Sequence, residues 1–149
     1  MRIVITGGTL RGRALPGKIG PGIRPTAARV REALFSVLGQ DLTGWTVLDA
    51  YAGSGLLGFE AFSRGAEVTL VERDLRARGA MRDRAEALGV QTEWIPGATP
   101  KVLGTRQWDL VLADPPYAAE PEGVLKGLAP HVGSILVLEH AAHVGCQSL

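Results

Sequence analysis

The stretch VLDAYAGSGLLGFEA, Val47–Ala61, begins as an apolar run, turns through GSG and resumes with residues that favour a helix. Gly53–Gly58 spells G-x-G-x-x-G, and Glu72 closes the next apolar run about twenty residues on, as in a dinucleotide-binding fingerprint. Glycines at these positions permit a sharp strand-to-helix turn and bring the backbone close to a ligand. The pattern points to an adenosine cofactor. It leaves open whether that cofactor is NAD or another adenosine compound.

The rest of the chain repeats the same alternation. Trp45–Ala50, Glu67–Glu72, Gln91–Ile95, Trp108–Ala113 and Ser134–Leu138 read as strands. Between them Leu56–Arg64, Leu75–Leu88, Thr99–Leu103 and Glu120–Leu128 read as helices, with Gly65 and Gly89 as stops. Five strands separated by helices predict an α/β fold, a parallel sheet covered on both faces. Upstream, Arg2–Ile5 and Gly12–Leu15 predict a hairpin around TGGTLR, and Pro16–Pro25 a loop. Thr26–Leu38 reads as a helix capped by Thr26 and stopped by Gly39, its apolar stripe being Val30, Ala33, Leu34 and Val37.

Composition narrows the class. The chain has 149 residues, 46% hydrophobic and 21% charged, as in a globular domain. No apolar run approaches the ~18 residues of a membrane span, and no secretory leader is legible, so a cytoplasmic protein is expected. One cysteine, Cys146, excludes an internal disulfide and a cysteine-built metal site. Gln147 and Ser148 after it do not make a prenylation box. His131, His140 and His143 lack metal-ligand spacing with acidic partners, so no metal is expected. Net charge is +1, yet residues 1–31 carry Arg2, Arg11, Arg13, Lys18, Arg24, Arg29 and Arg31 with no acid before Glu32. A basic arm on a slightly acidic body suggests contact with nucleic acid.

Ligands of such sheets lie beyond the carboxyl ends of the strands. Asp49 precedes the glycine turn there, Glu72 can accept the two hydroxyls of a ribose, and Asp114-Pro115-Pro116-Tyr117 follows the fourth strand. Two consecutive prolines make a rigid turn with free carbonyls, a carboxylate before it and an aromatic ring after it. An NAD oxidoreductase has no use for that set. An enzyme that methylates an exocyclic amine of a base does: carboxylate and carbonyl accept the amine's N–H bonds, and the ring stacks on the exposed base. The cofactor is then S-adenosylmethionine, with Asp49 near its methionine end. Trp45, Trp94 and Trp108 sit in strand runs and read as packing residues.

TGGTLRGRALP (Thr6–Pro16), IRPTAARVREALF (Ile23–Phe35), LDAYAGSGLLGFEA (Leu48–Ala61), VER (Val71–Arg73) and LADPPYA (Leu112–Ala118) together resemble the bacterial ribosomal small-subunit methyltransferase D family. Those enzymes methylate the N2 amine of a guanine in 16S ribosomal RNA. The chain as a whole reads as one domain, 1–149, with residues 1–22 as a basic hairpin arm and loop and 23–149 as the core. The resemblance covers residues 1 to about 140 and implies a Rossmann-like methyltransferase. It implies that Asp49, Gly53, Gly55, Glu72 and Arg73 line the pocket for S-adenosylmethionine, and that Arg24 and Thr26 of the RPT segment reach its methionine end. Ala98 contributes backbone only, where relatives offer a polar side chain to the adenine. Asp114, Pro115, Pro116 and Tyr117 would hold the guanine and carry catalysis, and Arg11 and Arg13 would lie on ribosomal RNA or an assembling small subunit.

Relatives continue past Leu138-Glu139-His140 into two more strands, which this sequence is expected to lack. That would leave Ser134–Leu138 as an exposed apolar edge, suited to dimerisation. Other readings of the same residues are a catalytically impaired RNA-binding remnant, a DNA adenine-N6 or cytosine-N4 methyltransferase, and a protein glutamine methyltransferase.

Overall fold

The computed structural model describes residues 3–17, 25–115, 119–140 and 143–148. In chain order its elements are α1 (Pro25–Leu38), β1 (Thr46–Asp49), α2 (Leu56–Ser63), β2 (Glu67–Glu72), α3 (Leu75–Leu88), β3 (Glu93–Pro96), β4 (Trp108–Ala113), α4 (Pro121–Leu128), β5 (Val132–His140) and β6 (His143–Ser148). Six strands form one sheet in the order β3-β2-β1-β4-β5-β6. β1 to β5 are mutually parallel, and β6 runs antiparallel to β5. This is the expected Rossmann-like α/β fold.

Both faces of the central strands are covered, which is why β1 and β4 read as unbroken apolar runs. Val47, Leu110 and Leu112 pack into one core with Phe35, Phe59 and Met81. Leu48, Val111 and Ala113 pack into a second with Leu103, Val124 and Leu128. Each such leucine or valine contributes roughly 1.5–3 kcal/mol by leaving water. α3 has the expected bounds because its ends carry caps: Asp74 accepts from Ala77 N at 2.9 Å, and Gly89 closes it in the left-handed region.

Three expectations need correction. The buried stripe of α1 is not the one its apolar residues suggest: Ala33 is exposed and Val37 is 82% exposed. Arg31, Leu34, Phe35 and Leu38 face inward instead, a rotation of one residue. An ion pair sets that rotation. Arg31 Nε lies 3.4 Å from Glu60 Oε1, and Glu60, wholly buried in α2, also pairs with Arg64. Arg64 in turn stacks on the Phe35 ring at 4.4 Å.

The amino-terminal hairpin is a single bridge, Val4 to Ala14, flanked by Ile5 N–H to Arg13 O and Leu15 N–H to Ile3 O. Its tip, the 3-10 turn Gly8–Leu10, is docked on the end of α2. Ser63 Oγ accepts from Leu10 N at 2.9 Å and donates to Gly7 O, and Glu60 Oε1 accepts from Thr6 N at 2.8 Å. Gly8 has φ +76°, and a Cβ there would lie 1.8 Å from Ser63 O, so only glycine fits. Only the tip groups, Thr6 N, Gly7 O and Leu10 N, go to α2, while the flanking segments keep their bonds to each other, Gly12 N–H to Ile5 O included.

The outer edge of β5 is not exposed. Ile135 to His140 are paired with Ser148 to His143 of β6, so one strand beyond β5 is present. The edge Ser134–Leu138, expected to be open for dimerisation, already has its neighbour. Among the described residues, no helix is long and apolar enough to cross a membrane.

Candidate active site

β1 has β2 on one side and β4 on the other, so the chain reverses its direction of winding at the carboxyl ends of β1 and β4. The predicted residues converge there. Glu72, the last residue of β2, accepts from Gly53 N at 2.8 Å through Oε1 and from Asp74 N at 2.9 Å through Oε2. One carboxylate thus fixes the glycine turn against the start of α3, and each oxygen keeps a lone pair for a ligand hydroxyl.

The turn itself is tight. Gly55 caps α2 with φ +88°, and a Cβ on it would fall 2.6 Å from the Phe59 ring and 2.8 Å from Met81 Cγ. Gly58 brings α2 onto β2: a Cβ there would lie 2.3 Å from Leu70 Cδ2. These are the turn and close-packing roles that the fingerprint assigns to its glycines.

Asp49 ends β1 and is 1% exposed. Its Oδ2 accepts from Gly58 N at 3.1 Å, while the buried Oδ1 completes no hydrogen bond among the described residues. Burial pushes its carboxyl from the ordinary 3.8 up to about 7. The Gly58 amide opposes this, the Asp114 charge adds to it, the Tyr51 amide opposes it, and the Glu72 charge adds to it. A buried carboxylate oxygen without a partner is costly. A cation placed against it would remove that cost, so the donor set fits a positively charged ligand group. The methionine end of S-adenosylmethionine, with its ammonium and sulfonium, is such a ligand.

Asp114 follows β4 directly and is exposed, and Pro115 is buried. The effect of the Asp114 charge on Asp49 puts both carboxylates in one electrostatic neighbourhood. Pro116, Tyr117 and Arg24 lie outside the described residues. Thr26 falls in the first turn of α1, and its side chain also lies outside them. Arg73 is exposed beside Glu72, and Ala98 is half-buried on the loop after β3.

Arg11 and Arg13 are exposed on the hairpin, away from this turn. Arg13 Nη2 reaches Ala87 O at 3.5 Å, near the far end of α3. From there to the start of α3 is roughly 18 Å of helix, at 1.5 Å per residue. Among the described residues no group of His, Cys, Asp and Glu is arranged to hold a metal ion.

Two residues that sequence reasoning missed shape the site. Thr99 Oγ1 donates to Ala50 O at 2.7 Å, tying the β3 loop to the β1 loop. Arg84 Nε donates to Pro16 O at 2.9 Å, and its Nη1 reaches Ser54 O in the glycine turn at 3.4 Å. Arg84 had a legible signal: with Met81, Ala85 and Leu88 it occupies the i, i+3, i+4, i+7 positions of the inward face.

The family model described as conserved hypothetical protein 95 matches residues 1–148. Ribosomal RNA small subunit methyltransferase D of Escherichia coli (strain K12) is 51% identical over 74 residues, 49% of this chain and 37% of that protein. Its namesake in Buchnera aphidicola (subsp. Acyrthosiphon pisum) is 33% identical over 126 residues, 78% of this chain and 63% of that protein. The chain therefore matches less than two-thirds of the length of either relative. Among solved structures, a hypothetical protein of Thermus thermophilus is 26% identical, with a TM-score of 0.84, covering 99% of both chains.

Proposed function

We propose a function from a premise that the comparisons establish: the chain belongs to the conserved hypothetical protein 95 family, the ribosomal small-subunit methyltransferase D family. The function is S-adenosylmethionine-dependent methylation of ribosomal RNA, at the exocyclic N2 amine of a guanine in the small-subunit molecule. The observation that carries it is the buried Asp49 carboxyl just before the glycine turn, on which the charge of Asp114, just after β4, acts.

The cofactor, when bound, supplies an electrophilic methyl group on a sulfonium. Asp49 would face the positive methionine end, Glu72 the ribose hydroxyls, and the Ala98 backbone the adenine. Arg24 and Thr26 would complete the methionine side, and Arg73 the rim. A guanine N2 is a poor nucleophile because its lone pair is drawn into the ring. Asp114 Oδ and a proline carbonyl of the following turn would accept its two N–H groups, concentrating the lone pair on nitrogen, and Tyr117 would stack on the base. The proton that N2 sheds would pass to the Asp114 carboxylate, with no covalent link between protein and substrate. Arg11 and Arg13 would meet RNA phosphates at a distance from the reacting amine.

The test is methyl transfer from labelled S-adenosylmethionine to small-subunit ribosomal RNA, with nucleoside digestion to identify the product as N2-methylguanosine. Asp114→Ala should lower the rate by about 100-fold or more, the scale of one lost polar contact to the reacting group, with cofactor affinity changed less than threefold. Label on another base, or an Asp114→Ala variant that loses cofactor affinity instead of turnover, would overturn the assignment.

A further inference from the structure

Among the places where the amino-terminal segment meets the core, two bear on the cofactor site: the end of α2, and Arg84 of α3, which also reaches the glycine turn. At the first, Thr6 N and Oγ1 both donate to Glu60 Oε1, at 2.8 and 3.0 Å, and Ser63 holds the Gly7–Leu10 backbone. This latch fixes the hairpin to the end of α2. At the second, the chain leaving the hairpin passes Arg84, which donates to Pro16 O at 2.9 Å and reaches Ser54 O at 3.4 Å. Arg84 is 6% exposed, and its guanidinium reaches a carbonyl on each of the two segments. Gly17, next to Pro16, passes close enough that a Cβ on it would lie 3.7 Å from Arg84 Nε.

Ser54 is the middle residue of Gly53-Ser54-Gly55. Glu72 holds the turn through Gly53 N–H on one side, and Arg84 holds it through Ser54 O on the other. The guanidinium is planar, and its donors are fixed relative to one another. A shift of Pro16 is therefore transmitted to Ser54 without passing through the sheet.

We propose that Arg84 is a positioning residue for the cofactor pocket, clamping the exit of the basic hairpin to the glycine turn, so that RNA held on the hairpin tightens cofactor binding. The inference rests on the reading above, in which Arg11 and Arg13 meet RNA and the turn receives S-adenosylmethionine. Coupling is reciprocal: the bound cofactor tightens RNA by the same factor.

The experiment measures the dissociation constant of S-adenosylhomocysteine by equilibrium dialysis, with and without saturating protein-free 16S ribosomal RNA. Unaltered protein should bind it about fivefold or more tightly when RNA is present, the lower end of ordinary coupling. Arg84→Met should bring that ratio to within twofold of one. Arg84→Lys keeps the charge and the stem but loses the fork, and should give an intermediate ratio. Thermal midpoints of both variants, and their RNA affinity without cofactor, report folding separately. A purely structural Arg84 would lower the midpoint and leave the ratio intact, which would overturn the proposal. Independent binding of RNA and cofactor by the unaltered protein would also overturn it while sparing the function. Failure to bind either one would remove the functional reading and this inference with it.

Discussion

The titration of Asp49 gives the site a measurable pH signature. In the ligand-free fold its carboxyl stands at about 7, because burial raises it, with the charges of Asp114 and Glu72 adding to the shift and the Gly58 and Tyr51 amides only partly offsetting it. A cationic ligand beside it favours the carboxylate, so binding must release the proton that Asp49 holds below pH 7. Each pH unit below that value costs a factor of about ten, or about 1.4 kcal/mol. S-adenosylmethionine affinity should be nearly flat from pH 8 to 7.5, then weaken about tenfold by pH 6 and about a hundredfold by pH 5. Calorimetry in two buffers of different ionisation enthalpy should show close to half a proton released at pH 7. The stability of the ligand-free fold runs the other way. The folded pKa is raised, so this group's contribution is fully present below the unfolded value of 3.8 and is lost as pH rises through about 7. Asp49→Asn should abolish both trends. Asp114→Asn, which removes a charge that raises Asp49, should move the affinity midpoint to lower pH. Affinity that stays constant from pH 5 to 8, or a slope that persists in Asp49→Asn, would refute the assignment of Asp49 to the cation.

Other outcomes follow from the buried ions and the exposed arm. Glu60→Ala leaves Arg31 and Arg64 buried without their acid and should destabilise the fold by about 3–5 kcal/mol. At this chain length that is a fall of about 6–20 °C in thermal midpoint, read by calorimetry or circular dichroism. A fall of less than 3 °C would mean that the two arginines find other partners. Replacing Arg11 and Arg13 together by Glu should weaken RNA binding and lower the log–log salt slope by about one to two. An unchanged slope in a filter-binding series would take the arm out of the interface.

The elements that could be read from sequence are those whose burial and caps agree. β2, α3 and β4 have the expected limits because their apolar runs end at Glu72, Gly89 and Ala113, where turn chemistry takes over. The glycine turn was legible for the same reason, as each glycine answers a steric demand close in sequence. Charged residues used as core defeated the reading. Arg31, Glu60, Arg64 and Arg84 are all buried, and none of them counts toward a hydrophobic period. Counting apolar residues alone turned α1 by one position and hid the clamp on Ser54. A signal was present in Glu60, the one acid inside the apolar helix LLGFEAFS. β6 escaped because His143–Ser148 is short and adjoins two alanines, and its strand state depends on the β5 edge it joins.

The two latches also order the birth of the molecule. Thr6 waits for a partner 54 residues later, and Pro16 for one 68 residues later. A growing chain thus makes its amino-terminal segment first and can seat it only after α2 and then α3 have emerged. Until then the carbonyls and hydroxyls destined for Glu60, Ser63 and Arg84 are hydrated, and closing these long loops carries an entropic cost that local helices do not meet. The hairpin, made before α2 and α3, is thus fixed only after them. Any segment that occupied the Ser63 end of α2 during synthesis would therefore compete with docking while the native segment has not yet found it.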